Sequence, residues 1–361
     1  MAGASVGLAG VASASAPVPG AIVLHCTGVP GELQQVIDGA ASGSTINVDG
    51  TCAGGVFINK NLTLAGPATI DAANTATAVV VWYGSVVVLN DLTLQHGNDS
   101  TFQIGGGLSN NGQTTLNRSI VKESTAMFGG GIFNTGQLTL NNSTVADNTA
   151  NTGGGIYNCG GLLGFDCGGV ATLTLNNSSV SDNVVTNGNG GGIFNDQHAV
   201  MALSNSTVSG NTAGGGGGLV NNGTATVIKS TLSGNTGFSG GAINNGVNND
   251  GSGVPTASLT ISNSTLQGNT ATLLGGAVTT SGSLTIDHAT VSDNSAGPFT
   301  GFGFVDAGFG GAIFIFSQAT TVSNSTFSNN PATSGFDSPA GIFVKPSPGT
   351  GTFSATHSTF S

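Results

Sequence analysis

Apolar and polar residues alternate in short bursts along most of this chain. In the segment LTLNNSTVADNTANTGGGIYN, from Leu138 to Asn158, Leu138 and Leu140 flank a threonine and Val145 lies between Thr144 and Ala146. One side chain in and the next out is the period of a strand. Asn-Asn, Asn-Thr and Gly-Gly steps interrupt each burst after a few residues. Asn and Gly tolerate left-handed backbone angles, so these steps predict sharp corners. A helical reading fails because Gly, Asn, Ser and Thr dominate and runs of Leu, Glu, Lys and Ala are missing.

The same segment recurs. Copies begin at Leu173, Met201, Ala225, Leu259 and Leu284, a weaker one begins at Thr320, and an incomplete one closes the chain at Ser361. Aligned on the apolar residue that follows Ser-Thr, the series is Val121, Val145, Val180, Val208, Leu232, Leu266, Val291, Phe327 and Phe360. Successive gaps are 24, 35, 28, 24, 34, 25, 36 and 33 residues. A fixed minimum with additions means that each repeat is one turn of a solenoid with loops growing from its corners. The longest additions fall at residues 159–170, 245–256 and 297–309. These features predict an all-β parallel β-helix of roughly a dozen coils, about 55–60 Å long at a strand spacing of about 4.8 Å.

Three columns should then run along the axis. The apolar series points inward. Three residues after it stand Asn148, Asn183, Asn211, Asn235, Asn269, Asn294 and Asn330, which can bond from coil to coil and satisfy buried polar groups. The third column is the Gly-Gly corner before Ile132, Ile156, Ile193, Leu219, Ile243, Val278 and Ile313. The run 214–218 belongs to that corner and is no phosphate loop, because no Lys-Ser/Thr follows it.

An aliphatic or aromatic residue, two arbitrary residues and Asn, followed at a distance by Gly-Gly-Ala/Gly and Ile, Leu or Val, resembles the repeats of polymorphic outer membrane proteins. More widely it resembles the pectin-lyase-like right-handed β-helix group. The likeness covers residues 86–361 and departs at Val121, where Ser124 stands for the Asn. It implies a right-handed coil on a secreted or cell-surface, outer-membrane-associated bacterial protein. The role it implies is that of an adhesin-like or structural passenger segment, with glycans or cell-surface molecules as partners.

Composition narrows the classes. The 62 glycines would suggest disorder in an aperiodic chain, but they are periodic and 38% of residues are hydrophobic. With 5 basic and 16 acidic residues the net charge is −11, so the basic footprint needed for nucleic acid is missing. No segment has the length of a transmembrane helix.

The ends differ from the middle. Residues 3–16 are small and weakly apolar, and Ala12-Ser13-Ala14 fits a cleavage site, though no Lys or Arg precedes it. Residues 1–25 thus read as a clipped signal peptide or a low-complexity leader. Residues 26–85 read as an N-terminal cap and first irregular coils, in which GELQQVIDGAA (31–41) places Leu33, Val36 and Ile37 on one face of a short capping helix. The stop at Ser361 within a repeat predicts a natural chain that continues. Cys26 and Cys52 flank the cap, and Cys159 and Cys167 share one inserted loop. An even, locally paired set favours disulfides over a metal site, since neither pair has Cys-x-x-Cys spacing.

Candidate chemistry is sparse. A polysaccharide lyase on this fold needs a Ca²⁺ carboxylate cluster and a base, and a hydrolase needs paired acids. Asp147, Asp182 and Asp293 recur at one turn position, but Gly210, Gly234 and Gly268 fill it between them, so at most a weak Ca²⁺ contact is expected and no cofactor. A second turn column holds Asp91, Arg118, Asn142, Asn177, Asn205, Lys229, Asn263, His288, Asn324 and His357, with Arg118 placed to pair with Asp91. Asp196 near His198 and Asp287 beside His288 read as polar turns. The column Thr93, Thr144, Ser179, Thr207, Thr231, Thr265, Thr290, Thr326 and Thr359 is a hydroxyl ladder of the kind an ice-binding solenoid needs, interrupted by Ile120 and expected to lie beside loops of varying length. The reading favoured by the sequence is a non-enzymatic recognition or structural rod that binds through its three long loops. A lyase or hydrolase is the alternative, and an ice-binding surface the third reading.

Overall fold

The computed structural model describes residues 22–98, 103–161, 169–246, 257–297, 299–301, 304–306, 308–316, 318–332, 341–344 and 352–361. The chain winds as a right-handed parallel β-helix. One coil comprises the strands Ile132–Asn134, Gln137–Asn141, Thr144–Ala146 and Thr149–Thr152. Each pairs in parallel, residue for residue, with its counterpart in the next coil: Ile132 with Ile156, Leu138 with Leu173, Val145 with Val180, Ala150 with Val185. The first strand type stacks into an eleven-stranded sheet, here called wall one. The second and third types, walls two and three, merge into one 22-stranded sheet.

The corner between walls two and three explains the odd turn column. Asp91, Arg118, Asn142, Asn177, Asn205, Lys229, Asn263, His288, Asn324 and His357 all have φ between 47° and 55°. One left-handed residue per coil bends the chain without a loop. Asn suits that position at low cost, while Arg, Lys and His occupy it under tertiary constraint. The corner after wall three is also left-handed, at Glu123, Asp147, Asp182, Gly210, Gly234, Gly268, Asp293 and Asn329. The alternation of Asp, Gly and Asn there follows from backbone geometry.

Inside, Leu138, Leu140, Val145, Ile156 and their counterparts form one continuous cluster from Leu33 to Phe327. Three hydrogen-bonded polar ladders accompany it. The Oδ1 of Asn183 accepts from both the backbone N–H and the Nδ2 of Asn148, each at 3.0 Å, and this pattern repeats through Asn211, Asn235, Asn269, Asn294 and Asn330. A second ladder, on the last residue of each wall-one strand, links Asn110, Asn134, Asn158, Asn195, Asn221 and Asn245 through Nδ2 to Oδ1 bonds of 2.7–2.8 Å. The third runs through Ser119, Ser143, Ser178, Ser206, Ser230 and Ser264, each hydroxyl accepting from the preceding serine's N–H at 3.1 Å. Ladder residues are buried, and burial is tolerable because the partners are supplied.

The amino-terminal end is closed by three elements. Strand β1 (Ile22–Thr27) pairs with β2 (Ser44–Ala53) from Ile22↔Ile46 to Thr27↔Thr51. Ile22 to His25, part of the stretch read as a leader, thus belong to a strand of the coil, with Ile22, Leu24 and Cys26 packed against the core. Between them lies α1 (Glu32–Gly39), which buries Leu33 and Ile37. Glu32 accepts from the N–H groups of Thr27 and Gly28 at its amino end. Lys60 donates to the carbonyls of Ile37, Asp38 and Ala40 at its carboxyl end, each at 3.1 Å, so both ends carry the charge that the helix dipole favours. A Cys26–Cys52 disulfide joins β1 to β2. Cys159 is also disulfide-bonded, and Cys167 lies outside the described residues.

Candidate binding groove

Wall one presents one outward residue per coil. In register these are Phe57, Val80, Ser109, Phe133, Tyr157, Phe194 and Val220. From Ser109 to Val220 the column is buried although it points away from the core. An outer ribbon covers it, built from parallel bridges between Ile104 and Phe128, Phe128 and Thr152, Asn189 and Gly215, and Gly215 and Ser239. The ribbon reaches wall one through left-handed glycines. A Cβ on Gly190 would stand 2.9 Å from the Cβ of Phe194, so only glycine lets the ribbon close down. Beneath it Tyr157 stacks on Phe194 at 4.9 Å and on Phe133 at 5.5 Å, with Phe128 edge-on at 5.6 Å. Burial pushes the Tyr157 phenol well up, and the neighbouring Asp196 carboxylate adds to the shift.

The ribbon starts at Ile104, so Phe57 and Val80 are left uncovered. Over them opens a groove of about 1270 Å³. Its cap-side end is formed by Gln34 of α1. One flank is Thr75, Ala76, Thr77 and Ile104, and the other is Trp82, Tyr83 and Ser85, continuing past Asn111 and Gln113 to Thr135 and Gln137. Trp82 packs on Phe57 with ring centroids 5.6 Å apart and planes tilted by 56°. Trp82 is 54% exposed and Tyr83 80%, in a chain with one Trp and two Tyr.

The backbone that carries the aromatic pair is fixed by hydrogen bonds. The Trp82 N–H donates to the Ile58 carbonyl at 2.8 Å, the Ser85 N–H donates back to the Trp82 carbonyl at 3.2 Å, and Gly84 has φ +78°. Those bonds make a tight turn with both rings at its tip. Gln34 accepts from the Phe57 N–H at 2.7 Å and donates to the Phe57 carbonyl at 3.1 Å, closing the free edge of β3 (Val56–Ile58). Further along, the Thr135 hydroxyl donates to Asn111 Oδ1 at 2.9 Å, while Gln113 and Gln137 pair in register and face solvent. The described lining residues include no Asp, Glu, Lys, Arg or His.

The acids and histidines singled out in the sequence lie elsewhere. Arg118 holds Asp91 bidentately at 2.7 and 2.6 Å, which keeps the Asp91 carboxyl below and the guanidinium above their ordinary ranges. Asp287 accepts from Ser323, Asn324 and His288, and these bonds hold its carboxyl down to about 2. Asp196 is engaged by the Tyr157 hydroxyl at 3.2 Å. His96, which no motif marks, bridges Asp71 at 3.1 Å and Glu123 at 3.2 Å on the exposed corner. Burial pushes the Asp71 carboxyl up, but bonds from Gln95, the Ala73 N–H and His96 outweigh it and leave it lowered. Asp147 and Asp182 occupy successive left-handed corners; among the described residues no group of three or more His, Cys, Asp or Glu is placed to hold a metal ion.

The hydroxyl column is in register from Thr144 through Ser179, Thr207, Thr231, Thr265, Thr290 and Thr326 to Thr359, with Ile120 between Thr93 and Thr144. The long insertions do not interrupt the run from wall two through wall three. Two leave after wall one and the third precedes it, so the expectation of loops beside the hydroxyl column is corrected. The tips of those insertions lie largely outside the described residues, though Gly169 and Val170, at the end of the first, line the groove. Among the described residues no helix is long and apolar enough to cross a membrane.

The groove was not among the sequence candidates. Its signal was present in the pair Trp82-Tyr83, which the repeat alignment passed over because it lies before the regular repeats. Comparison with protein-family models, curated proteins and solved structures yields no match for this chain.

Proposed function

We propose that this protein is a non-catalytic β-helical rod, secreted or displayed on a bacterial surface, that recognises carbohydrate. The observation that carries the reading is the exposed Trp82–Tyr83 pair, with Trp82 packed on Phe57, lining an open groove rimmed by amides and hydroxyls. Large exposed rings cost solvation free energy unless a partner covers them, and rings flanked by polar groups suit ligands with one apolar and one polar face. Support for binding over cleavage comes from the uncharged lining, because glycoside hydrolysis works through a pair of carboxyl groups. The disulfide at β1 fits an oxidising compartment. A glycan-array screen of the protein and its Trp82→Ala variant tests the proposal. Binding that the variant loses supports it, and a blank array for the parent protein contradicts it.

A second reading is favoured by one observation, the unbroken register of the hydroxyl column over eight coils. It is tested by thermal hysteresis of freezing, and its absence removes that reading.

A further inference from the structure

We infer that the ligand of the groove is a neutral, extended polysaccharide lying lengthwise along the rod, with Trp82 and Tyr83 as its stacking platforms. This rests on the carbohydrate reading and narrows it in two respects, charge and direction.

Direction follows from the topology. The lining comes from the cap and from successive coils: Gln34, then Phe57, then Val80 with Trp82 and Tyr83, then Ser109 to Gln113, then Thr135 to Gln137. Adjacent coils are about 4.8 Å apart, so the groove runs parallel to the axis for several coils. The ribbon that begins at Ile104 covers wall one in the later coils, so a ligand continues along the side lined by Asn111, Gln113, Thr135 and Gln137. A ligand that fills the groove is therefore long and narrow. The exposed amides of Gln113 and Gln137 repeat at the coil spacing, which offers equivalent donors and acceptors to successive units of a polymer.

Charge follows from the lining. None of its described residues carries a charged side chain, and the chain carries −11 overall. A uronate polymer would enter a negative field without one cation to pair its carboxylates. Neutral sugar rings lose nothing by that field. An extended peptide is disfavoured by a different feature: strand addition needs a free edge, and Gln34 already occupies the N–H and C=O of Phe57.

The test is calorimetric titration of the full chain with xylohexaose, mannohexaose and cellohexaose, each against its disaccharide, and with hexagalacturonate. At least one neutral hexasaccharide should bind about tenfold or more tighter than its disaccharide and than hexagalacturonate. Trp82→Ala and, separately, Tyr83→Ala should each weaken it by about tenfold, the loss expected of an aromatic anchor at the centre of a site. Tighter binding of hexagalacturonate, sensitive to the same variants, would overturn the neutral assignment and leave carbohydrate recognition standing. Equal affinity of disaccharide and hexasaccharide would overturn the lengthwise pose. Heat from none of the sugars would overturn both this inference and the reading beneath it.

Discussion

Trp82 and Phe57 face each other across one coil step, 5.6 Å apart, on a wall whose later outward side chains are buried beneath a ribbon. The same column thus serves as core at Tyr157 and Phe194 and as an open surface at Phe57. The difference is made by where the ribbon begins. Because the tip of the Trp82 turn packs on little besides Phe57, Trp82→Ala and Tyr83→Ala should leave stability within about 0.5 kcal/mol of the parent. Chemical denaturation checks this, and a larger loss would mean that the rings are structural.

The inner ladder predicts the opposite behaviour. Asn211 accepts from the N–H and Nδ2 of Asn183 and donates to the Val180 carbonyl. Asn211→Ala orphans several buried groups at about 1–3 kcal/mol each, so a loss on the order of 2–5 kcal/mol is expected. Gly155→Ala should also destabilise, since its methyl would sit 2.6 Å from the Gly192 carbonyl oxygen and 2.9 Å from Asn183 Nδ2. Denaturation midpoints of the two variants measure both effects; parent-like midpoints would show that the ladder is dispensable.

The Cys26–Cys52 bridge joins residues 26 apart in sequence, a loop length that corresponds to about 3.5 kcal/mol of unfolded-state entropy. In a solenoid that stabilisation is local. Cys26→Ser with Cys52→Ser should therefore lower amide-exchange protection in β1, β2 and α1 while leaving the coils around Val208 protected. Uniform loss along the rod would contradict a local role.

Acid titration gives a further test. The Asp287 carboxyl is held at about 2, against an ordinary value of 3.8, by bonds from Ser323, Asn324 and His288. A depressed carboxyl stabilises the fold fully above its unfolded value, and the contribution fades as pH falls from 3.8 through 2. Asp287→Asn should thus lower the melting temperature at pH 7 and flatten the acid limb, with the difference from the parent closing as pH falls from 3.8 through 2. An acid limb identical to the parent's would show that the carboxylate does not stabilise the fold through these bonds.

The architecture was legible because each repeat prints its geometry in its residues. Val145 and Val180 are inward, Asn148 and Asn183 bond from coil to coil, and Arg118 reaches Asp91 as the spacing implied. The serine ladder was hidden because Ser143 and Ser178 look like ordinary turn residues. The second asparagine ladder was masked in the same way, although Asn134, Asn158 and Asn195 follow each Gly corner at a constant offset. The groove escaped for a different reason. It exists because a ribbon is missing over Phe57 and Val80, and a period of 24 residues or more says nothing about where an outer layer starts.

The account stands most directly on whether a ligand covers Trp82. As the chain's single tryptophan, it reports on the groove without labelling. Iodide quenching of its fluorescence should fall markedly when a neutral hexasaccharide that binds in the calorimeter is added, together with a blue shift of the emission. Quenching and emission unchanged at saturating sugar would place the ligand elsewhere on the rod and contradict the assignment of the groove.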